Sequence, residues 1–468
     1  MDDAQHKTEL SSLGEKQVAF LLGARKLSGT AVVSLLLSSS FGLNALFYAA
    51  WLGYSVGAWA LVIQGAWALS FFLLIPFARS FYGIASLHNL LGDRYGTPTR
   101  MLAAICSLVG ILYLVGWEVA IARSTLASFL KAAGSVGSAG PITEVLLICL
   151  VSVTVIYTAV WGLKGNANVD LVLNTIKLVL TILVAGFAGA LFFRAPVPSL
   201  IRAAFPSFSV VLGNLGLWGL VTNLLFNLAW QFVDNSSWQS IIGGSQSSPH
   251  AVERNLSKTG TVVFLTIGLL GTLLGIATST LTGITADNII VQAVATIGAN
   301  KWLVGTVLTL LIAACVMSLV DGMLLACALT VVGDILPYTG FGKGLTARTK
   351  AAISRITLVV AAIMAVWGIN FLFRLTGGSV FDFVYIVIVT QLALLGSVLS
   401  SWFTARQPRT MWLSILSGLV CGFGAVAVGV ISSRQYLIDG AGTFAMASSC
   451  VAAAAIIGTA KITSRRTA

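Results

Sequence analysis

Charged residues are scarce in this sequence. Only 9% of its 468 residues are Asp, Glu, Lys or Arg, and 57% are hydrophobic, whereas a soluble globular chain carries about 25% charged residues. The mean hydropathy is +0.96. This composition excludes an ordinary water-soluble domain and predicts an integral protein with many membrane-spanning helices.

Clusters of metal-ligating or nucleophilic residues are also missing. The six cysteines fall singly inside apolar runs without metal-ligand spacing, and the three histidines are far apart in the sequence. We therefore expect neither a disulfide framework nor a zinc site. No nucleophile with a neighbouring base and no phosphate-binding loop stands out, so we expect no enzyme activity and no cofactor beyond a coupling Na⁺ or H⁺.

Apolar runs of about 20 residues, long enough to cross a bilayer, recur along the chain. We count twelve, near 30–55, 57–78, 102–130, 142–162, 168–193, 211–233, 257–279, 303–333, 353–373, 380–404, 410–432 and 443–461. The sequence therefore predicts an all-α polytopic membrane protein with about twelve transmembrane helices, surrounded by membrane lipids. The loop after the seventh run contains "ADNIIVQAVATIGA", which we expect to form a short helix over the outer face.

The positive charges predict the orientation of these helices. When the N-terminus is placed in the cytoplasm, most of the 27 Lys and Arg residues fall in cytoplasmic segments, as the positive-inside rule requires. We therefore expect both termini in the cytoplasm and the protein in the cytoplasmic (inner) membrane. This distribution accounts for the net charge of +12, so nucleic acid is not an expected partner.

Two of the predicted helices contain poor helix formers or amides. The first includes "SLLLSSSFGLNALFYAAWLGY", which is typical either of a broken helix lining a cavity, where transporters bind substrates and ions, or of a small-residue packing face. The sixth carries Asn223 and Asn227 in "GLVTNLLFNLAW". Their amides serve either as contacts between helices or as contacts to a small polar solute.

Charged residues inside the predicted spans cost roughly 2.5 kcal/mol or more each. Lys177 lies in the fifth span, about 10 Å along the helix from Asp170, while Asp321 lies in the eighth and Glu118 in the third. Intramembrane charges indicate ion paths or binding sites by default. The alternative for each is an ion pair or polar network between helices, and we favour that structural role for Arg123.

Five segments together resemble the sodium:solute symporter family. They follow the family's order over roughly 20–409, as "FLLGARKLSG", "LLGDRYGTPTR", "IYTAVWGLKGNANVD", "FVDNSSWQS" and "AACVMSLVDGMLLACALTVVGDI". The resemblance implies a LeuT-like fold of the APC superfamily, an inverted 5+5 helix repeat whose helices 1 and 6 are interrupted. It also implies secondary active transport of a small organic solute by alternating access. We accordingly expect a cytoplasmic tail at 1–28, a ten-helix core at 29–404, and two further helices with a cytoplasmic tail at 405–468.

The resemblance also implies an ion site between the break in helix 1 and helix 8. The positions corresponding to the family's sodium ligands are Ser40, Leu43, Cys315 and Ser318, with Leu319 in place of a second hydroxyl. Leucine removes one oxygen from the site, and hard cations bind through oxygen. The implied sodium site is therefore incomplete.

Lys177 is our candidate for the missing cation. In related proteins of this fold that do not use sodium, a lysine on helix 5 occupies the place of the ion. Protonation and deprotonation of Lys177 would then couple transport to a proton gradient, with Asp170 on the inward ion path and Asp321 as a partner. Two alternatives remain: sodium is kept, with Asp321 or Asp170 supplying the lost oxygen, or Lys177 only neutralises nearby carboxylates.

The expected substrate is a small, partly apolar or ring-bearing solute. Helix 1 has Leu46, Phe47 and Tyr48 where the family's sugar transporters have polar side chains. Our candidates for substrate contact are Asn44, Tyr48, Trp51, Trp117, Glu118, Asn223 and Asn227. The alternative function is a membrane sensor that binds the solute without transporting it and needs a separate signalling partner.

Overall fold

A computed structural model describes residues 15–134, 139–193, 197–245, 249–279, 289–296, 300–342, 344–369, 371, 382–404 and 407–466. Nearly all of these residues are helical, and no strand occurs among them. The prediction of an all-α membrane protein is confirmed.

Seven helices form the first half of the described chain. They are α1 Glu15–Leu22, α2 Gly29–Ser40, α3 Leu43–Val56, α4 Ala60–Leu74, α5 Leu87–Tyr95, α6 Thr97–Ala132 and α7 Ala139–Phe192. Only α7 is far longer than a membrane crossing, and it is bent at Gly162, whose φ of 60° is not helical.

The second half adds further helices on both sides of a long eighth span. They are α8 Val197–Ala204, α9 Phe208–Val233, α10 Asn235–Gly243, α11 Pro249–Val263, α12 Thr272–Thr278, α13 Ile289–Ala295, α14 Lys301–Leu329, α15 Ala347–Ile363, α16 Asp382–Leu392, α17 Leu395–Phe403, α18 Trp412–Ile431, α19 Gln435–Asp439 and α20 Ala441–Arg466. Wider π-helical turns continue α11, α14 and α15 at Phe264–Gly271, Thr330–Ile335 and Met364–Gly368. The helix predicted in the loop after the seventh span is present as α13.

The number of crossings follows from helix length. Ten helical stretches in the described residues are long and apolar enough to span a membrane, or eleven if Glu15–Arg25 and Gly29–Ser40, bent by 90°, form one span. Two of the ten, Leu43–Tyr82 and Ala139–Ala190, have 40 and 52 residues. A straight helix of 52 residues would be about 78 Å long, more than twice the thickness of the hydrocarbon core.

Both long stretches contain a glycine in a left-handed conformation, Gly57 with φ 59° and Gly162 with φ 60°. A glycine adopts this conformation without the steric cost that a side chain would bring. Divided at these glycines, and with α2 joined to α3, the described helices correspond to the twelve predicted spans, although residues 370, 372–373 and 380–381 of the ninth and tenth spans lie outside the described part of the chain.

The two predicted interruptions are present. Helix α2 ends at Ser40, Phe41 (φ −101°, ψ 61°) and Gly42 (φ −83°, ψ 172°) leave helical geometry, and α3 begins at Leu43. Within the predicted sixth span at 211–233, α9 leaves helical geometry at Gly216 (φ 68°, ψ 161°), and it ends at Val233, where Asp234 (φ −77°, ψ 103°) separates it from α10. The Asp234 carboxylate accepts from the backbone N–H groups of the first turn of α10, which is how an aspartate stabilises a helix start.

Part of the predicted N-terminal tail is folded against the bundle. In α1, Leu21 and Leu22 are fully buried, and Arg25 donates to the Phe81 carbonyl at 3.2 Å and to Ser245 Oγ at 2.9 Å. Helix α2 then begins after Ser28, whose hydroxyl accepts from the Ala31 N–H. Residues 1–14 lie outside the described part of the chain.

Candidate functional site

The ammonium of Lys177 lies at the break between α2 and α3. The side chain is fully buried, and Nζ donates to the Phe41 carbonyl at 2.8 Å and to Ser318 Oγ at 2.7 Å. Nζ also lies 5.1 Å from the centroid of the Phe41 ring, within the range of a cation–π contact. One positive charge on α7 therefore joins the broken first span to α14.

The same face of α7 carries an amide one turn before the lysine. Asn174 Nδ2 donates to the Ser34 carbonyl at 2.9 Å and to Ser34 Oγ at 3.2 Å, and Asn174 Oδ1 accepts from Ser38 Oγ at 3.2 Å. Residues three and four apart share a helix face, which places Asn174 between Asp170 and Lys177. These contacts align the second half of α7 with α2, so that the ammonium reaches the end of α2.

Glu118 of α6 caps the other side of the break. Its Oε1 accepts from the Leu43 N–H at 2.6 Å and its Oε2 from the Asn44 N–H at 2.7 Å. Helix α3 thus begins on a fully buried carboxylate. The sequence suggested Glu118 as a substrate contact, whereas both of its oxygens are engaged with backbone.

Gly42 permits this close arrangement. A Cβ atom at this position would lie 2.7 Å from Asn44 Oδ1 and 2.9 Å from Glu118 Oε2, and closer still to Leu319 Cδ1. Distances under 3 Å would force these three side-chain ends to move, so a side chain at position 42 would displace the Glu118 carboxylate from the position in which it caps α3.

Two further carboxylates lie near the ammonium. Asp170 and Asp321 are fully buried, and Tyr157 Oη donates to Asp321 Oδ2 at 2.7 Å. Both oxygens of Asp170 and Oδ1 of Asp321 have no hydrogen-bond donor among the described residues. Lys177 and Asp321 interact electrostatically with Asp170, and the Ser38 hydroxyl is also near it, so the cluster holds buried carboxylate oxygens that could accept a proton or a cation.

The residues at the implied sodium positions are placed as follows. Ser318 Oγ accepts from Lys177 and donates to the Cys315 carbonyl at 3.3 Å. The carbonyl that meets the ammonium belongs to Phe41, not to Ser40 or Leu43. Leu319 is buried and presents carbon to the break. Among the described residues, no group of three or more His, Cys, Asp or Glu is arranged to hold a metal ion.

A cavity of about 70 Å³ borders the break. Its walls come from α2, α3, α4, α6, α9, α14 and α16, and they include five of the seven predicted substrate residues: Asn44, Tyr48, Trp117, Asn223 and Asn227. Trp67, Phe226 and Trp230 add aromatic surface. The break in the first span therefore opens onto a largely apolar chamber with several amide and hydroxyl groups.

A larger vestibule of about 450 Å³ adjoins this cavity on the Gly57 side of the bundle. Trp51 lines the vestibule but not the cavity, whereas Tyr48, Trp117 and Asn223 line both. The Tyr48 hydroxyl donates to Asn223 Oδ1 and accepts from Asn227 Nδ2 at 3.4 Å. This hydrogen-bonded group lies between the two spaces.

The ion pair expected for Arg123 is present, and its partner is Glu144 and not Glu118. Arg123 donates through Nε to Glu144 Oε1 at 2.7 Å and through Nη2 to Glu144 Oε2 at 3.0 Å. The partner lies on α7, so this pair joins two helices, as the structural interpretation of Arg123 supposed.

A second buried charge cluster, which the sequence did not predict, lies around Asp334. Asp334 accepts from Ser86 Oγ at 2.7 Å and from Arg100 Nη2 at 3.0 Å, and it lies 2.9 Å from His88 Nδ1. His88 Nε2 is 2.8 Å from Ser107 Oγ. The cluster ties α5 and the start of α6 to the end of the eighth span, far along the chain.

Other site residues that the sequence reasoning missed had weak signals. Asn174 could have been found from its i+4 spacing to Asp170, and Ser38 from the triple serine before the break. Tyr157 lies within the quoted segment "IYTAVWG", but nothing in the sequence indicates that its hydroxyl meets Asp321. Trp67 and Trp230 are not distinguishable by sequence from the other tryptophans.

Solved structures with the same arrangement of helices exist. A Na⁺-coupled sialic acid symporter, in a substrate-bound outward-open state, has a TM-score of 0.70 at 13% identity, over 96% of this chain and 95% of that chain. Mhp1, a nucleobase-cation-symport-1 family transporter in a closed conformation with bromovinylhydantoin bound, has a TM-score of 0.58 at 13% identity over 94% of both chains. The fold is LeuT-like.

The inward-facing conformation of Mhp1 has a lower TM-score of 0.51, at 13% identity over 92% of this chain and 91% of that chain. No protein-family profile and no curated protein sequence matches the chain. At this level of identity the LeuT-like structures show the fold alone, and the resemblance to the sodium:solute symporter family stays a prediction from the quoted segments.

Proposed function

We propose that this integral membrane protein is a secondary active transporter that moves a small organic solute by alternating access. The proposal rests on the LeuT-like fold, on the breaks in the first and sixth spans, and on the cavity that borders the first break. In transporters, half-helix ends at such breaks face the substrate and the coupling ion near the middle of the membrane.

We further propose that the chain does not need sodium and that Lys177 does the work of the ion. The observation that carries this proposal is the pair of short contacts from Nζ to the Phe41 carbonyl and to Ser318 Oγ. Ser318 is one of the positions that the resemblance implies for a sodium ligand, and Phe41 lies in the break between two others, Ser40 and Leu43. Leu319 supplies carbon where a further ligand oxygen is required.

Proton coupling follows from the chemistry of the amine. The protonated ammonium makes charge-assisted hydrogen bonds, which are about twice as strong as neutral ones. After deprotonation, the amine holds α2 and α14 together less tightly, and α2 is freer to move. The unpartnered oxygens of Asp170 and Asp321 are the nearby acceptors for that proton.

The test is uptake into proteoliposomes that contain the purified full chain. The labelled solute is the one that most raises the unfolding midpoint in a screen of sugars, amino acids, carboxylates and neutral ring compounds. We expect an inward proton gradient to drive accumulation without sodium. Lys177→Met should abolish accumulation but keep solute binding, while Lys164→Met, at an exposed position in α7, should behave as wild type.

A sodium-coupled mechanism is the second candidate, favoured by the free oxygens of Asp170 and Asp321. Uptake that strictly requires sodium, or normal proton-driven accumulation by Lys177→Met, would establish this alternative instead. Solute binding without accumulation under any gradient would point to a sensor.

A further inference from the structure

The Glu118 carboxylate at the start of α3 limits the charge that a bound solute can carry. The N-terminus of a half-helix at a membrane break carries partial positive charge and free N–H groups, and it is a natural site for an anionic substrate group. Here Glu118 already accepts from the Leu43 and Asn44 N–H groups. A carboxylate on the solute would find those donors engaged and a buried carboxylate beside them.

The cavity also offers no opposite charge to an ionised solute. None of its described lining residues is Asp, Glu, Lys or Arg, and the nearby ammonium of Lys177 is held by Phe41 and Ser318. Burying an ionised group without a partner is strongly unfavourable. Both signs of charge are therefore disfavoured in the bound solute.

Three buried polar atoms of the lining residues have no hydrogen-bond partner among the described residues. They are Ser40 Oγ, Trp67 Nε1 and Trp117 Nε1. An indole N–H can only donate, and a buried donor without an acceptor costs about 1–3 kcal/mol. These atoms are themselves buried, so a solute reaches the two indole N–H groups when the side chains around the cavity shift to admit it. A solute with acceptor atoms then removes this cost, whereas a tetraalkylammonium ion, which aromatic walls also attract, carries no acceptor.

The size of the cavity favours a small solute. One water needs about 10–15 Å³ of such volume, so a cavity of about 70 Å³ holds about five waters. At about 30 Å³ of liquid for each water, the space suits a molecule with one small ring.

We infer that the solute is uncharged, has the size of a single ring, and presents carbonyl or ring-nitrogen acceptors to Trp67 and Trp117. Glu118 takes the place of a substrate carboxylate and thereby excludes solutes that carry one. This inference rests on the proposed transport function, but it concerns binding and does not depend on the coupling ion.

Matched ligand pairs test the charge requirement. The purified full chain is titrated calorimetrically with nicotinamide against nicotinate, with uracil against orotate, and with tetramethylammonium. We expect at least one neutral ring compound to bind, with its carboxylate counterpart about tenfold weaker or worse, and no binding of tetramethylammonium. Tighter binding of a carboxylate or of tetramethylammonium, or no binding of either neutral ring, would overturn the inference.

Conservative aromatic substitutions test the donors. Trp67→Phe and Trp117→Phe each remove one N–H while keeping an aromatic ring, and each should weaken binding of the neutral compound about three- to tenfold. Trp302→Phe is the control, since that side chain is 87% exposed. Unchanged affinity in both cavity variants, with the wild-type unfolding midpoint retained, would show that the indoles do not donate to the solute.

The result separates this inference from the transport proposal. If a carboxylate binds and is also accumulated in proteoliposomes, the solute class is wrong but the transporter stands. If a neutral ring binds but no gradient drives its accumulation, the solute class stands and transport fails. Glu118→Ala adds a gain-of-binding test, because it frees the Leu43 and Asn44 N–H groups and should narrow the difference between nicotinate and nicotinamide.

Discussion

Sodium should have no specific effect on the stability of the wild-type chain, and it should stabilise a variant that combines Lys177→Ala with Leu319→Ser. The first substitution removes the ammonium from the break, and the second returns a hydroxyl to the position where the resemblance implies a sodium ligand. The Phe41 carbonyl and Ser318 Oγ stay in place as two further oxygens.

The expected size of the effect follows from the distances. Nζ lies 2.8 Å from the Phe41 carbonyl oxygen and 2.7 Å from Ser318 Oγ, so an ion that contacts both oxygens would sit at most about 4 Å from Nζ. Two positive charges about 4 Å apart repel by about 4 kcal/mol at an effective dielectric constant of about 20. That repulsion weakens sodium binding by a factor of about 10³ or more, which places the Kd for sodium above the accessible concentration range.

Without the ammonium this repulsion disappears. At a sodium concentration of about ten times the Kd, the variant gains about 1.4 kcal/mol of folding stability. The assay compares unfolding midpoints in nanodiscs in NaCl, KCl and N-methylglucamine chloride at equal ionic strength. Adding Ser318→Ala to the double variant should abolish the sodium effect. A sodium-specific rise in the wild-type midpoint would refute the reasoning, because it would place a working sodium site beside an intact Lys177.

Two further predictions concern stability. Asp334→Asn removes the counter-charge of the buried Arg100 guanidinium. It should lower the free energy of unfolding, measured by denaturant unfolding in detergent, by about 3–5 kcal/mol. The control Glu253→Gln, in a largely exposed pair, should change the free energy of unfolding by about 0.5 kcal/mol or less. Gly162→Ala places a side chain at φ 60° against the backbone of α1 and should lower the free energy of unfolding by about 1–3 kcal/mol. Gly186→Ala, in open space within the same helix, should leave the stability unchanged or raise it by up to about 1 kcal/mol. Equal effects of the two glycine substitutions would contradict the conformation assigned to Gly162.

The spans and their breaks could be predicted because their causes are local. Apolar runs identify the crossings by length alone. The serines and glycine before Leu43 disfavour a continuous helix, and Asp234 is followed by serines whose N–H groups it accepts, so each interruption is encoded within a few residues.

The partners of the buried charges could not be predicted, because they depend on packing between helices far apart in the sequence. Glu118 is recognisable as an intramembrane acid, but nothing near it indicates that it caps α3. The contact of Asp334 with His88 joins residues 246 positions apart, and neither sequence neighbourhood indicates the other. A charged residue inside a span therefore predicts that this residue has a functional or structural role, whereas the identity of its partner is known only from the folded helix bundle.

Relative to the sodium site that the resemblance implies, Lys177 and Leu319 are better understood as one combined change than as two independent changes. The ammonium has three N–H donors, and a carbonyl, a hydroxyl and an aromatic face surround it, so a leucine in the next position deprives it of nothing. A sodium ion prefers more oxygens, and the leucine removes one of them. Lys177→Ala alone should therefore leave an incomplete site, and Leu319→Ser alone should leave the repelling charge. Only the double variant should respond to sodium, so the two single sodium effects should not add up to the double one; a sodium response of Leu319→Ser alone, equal to that of the double variant, would show that the ammonium does not exclude the ion.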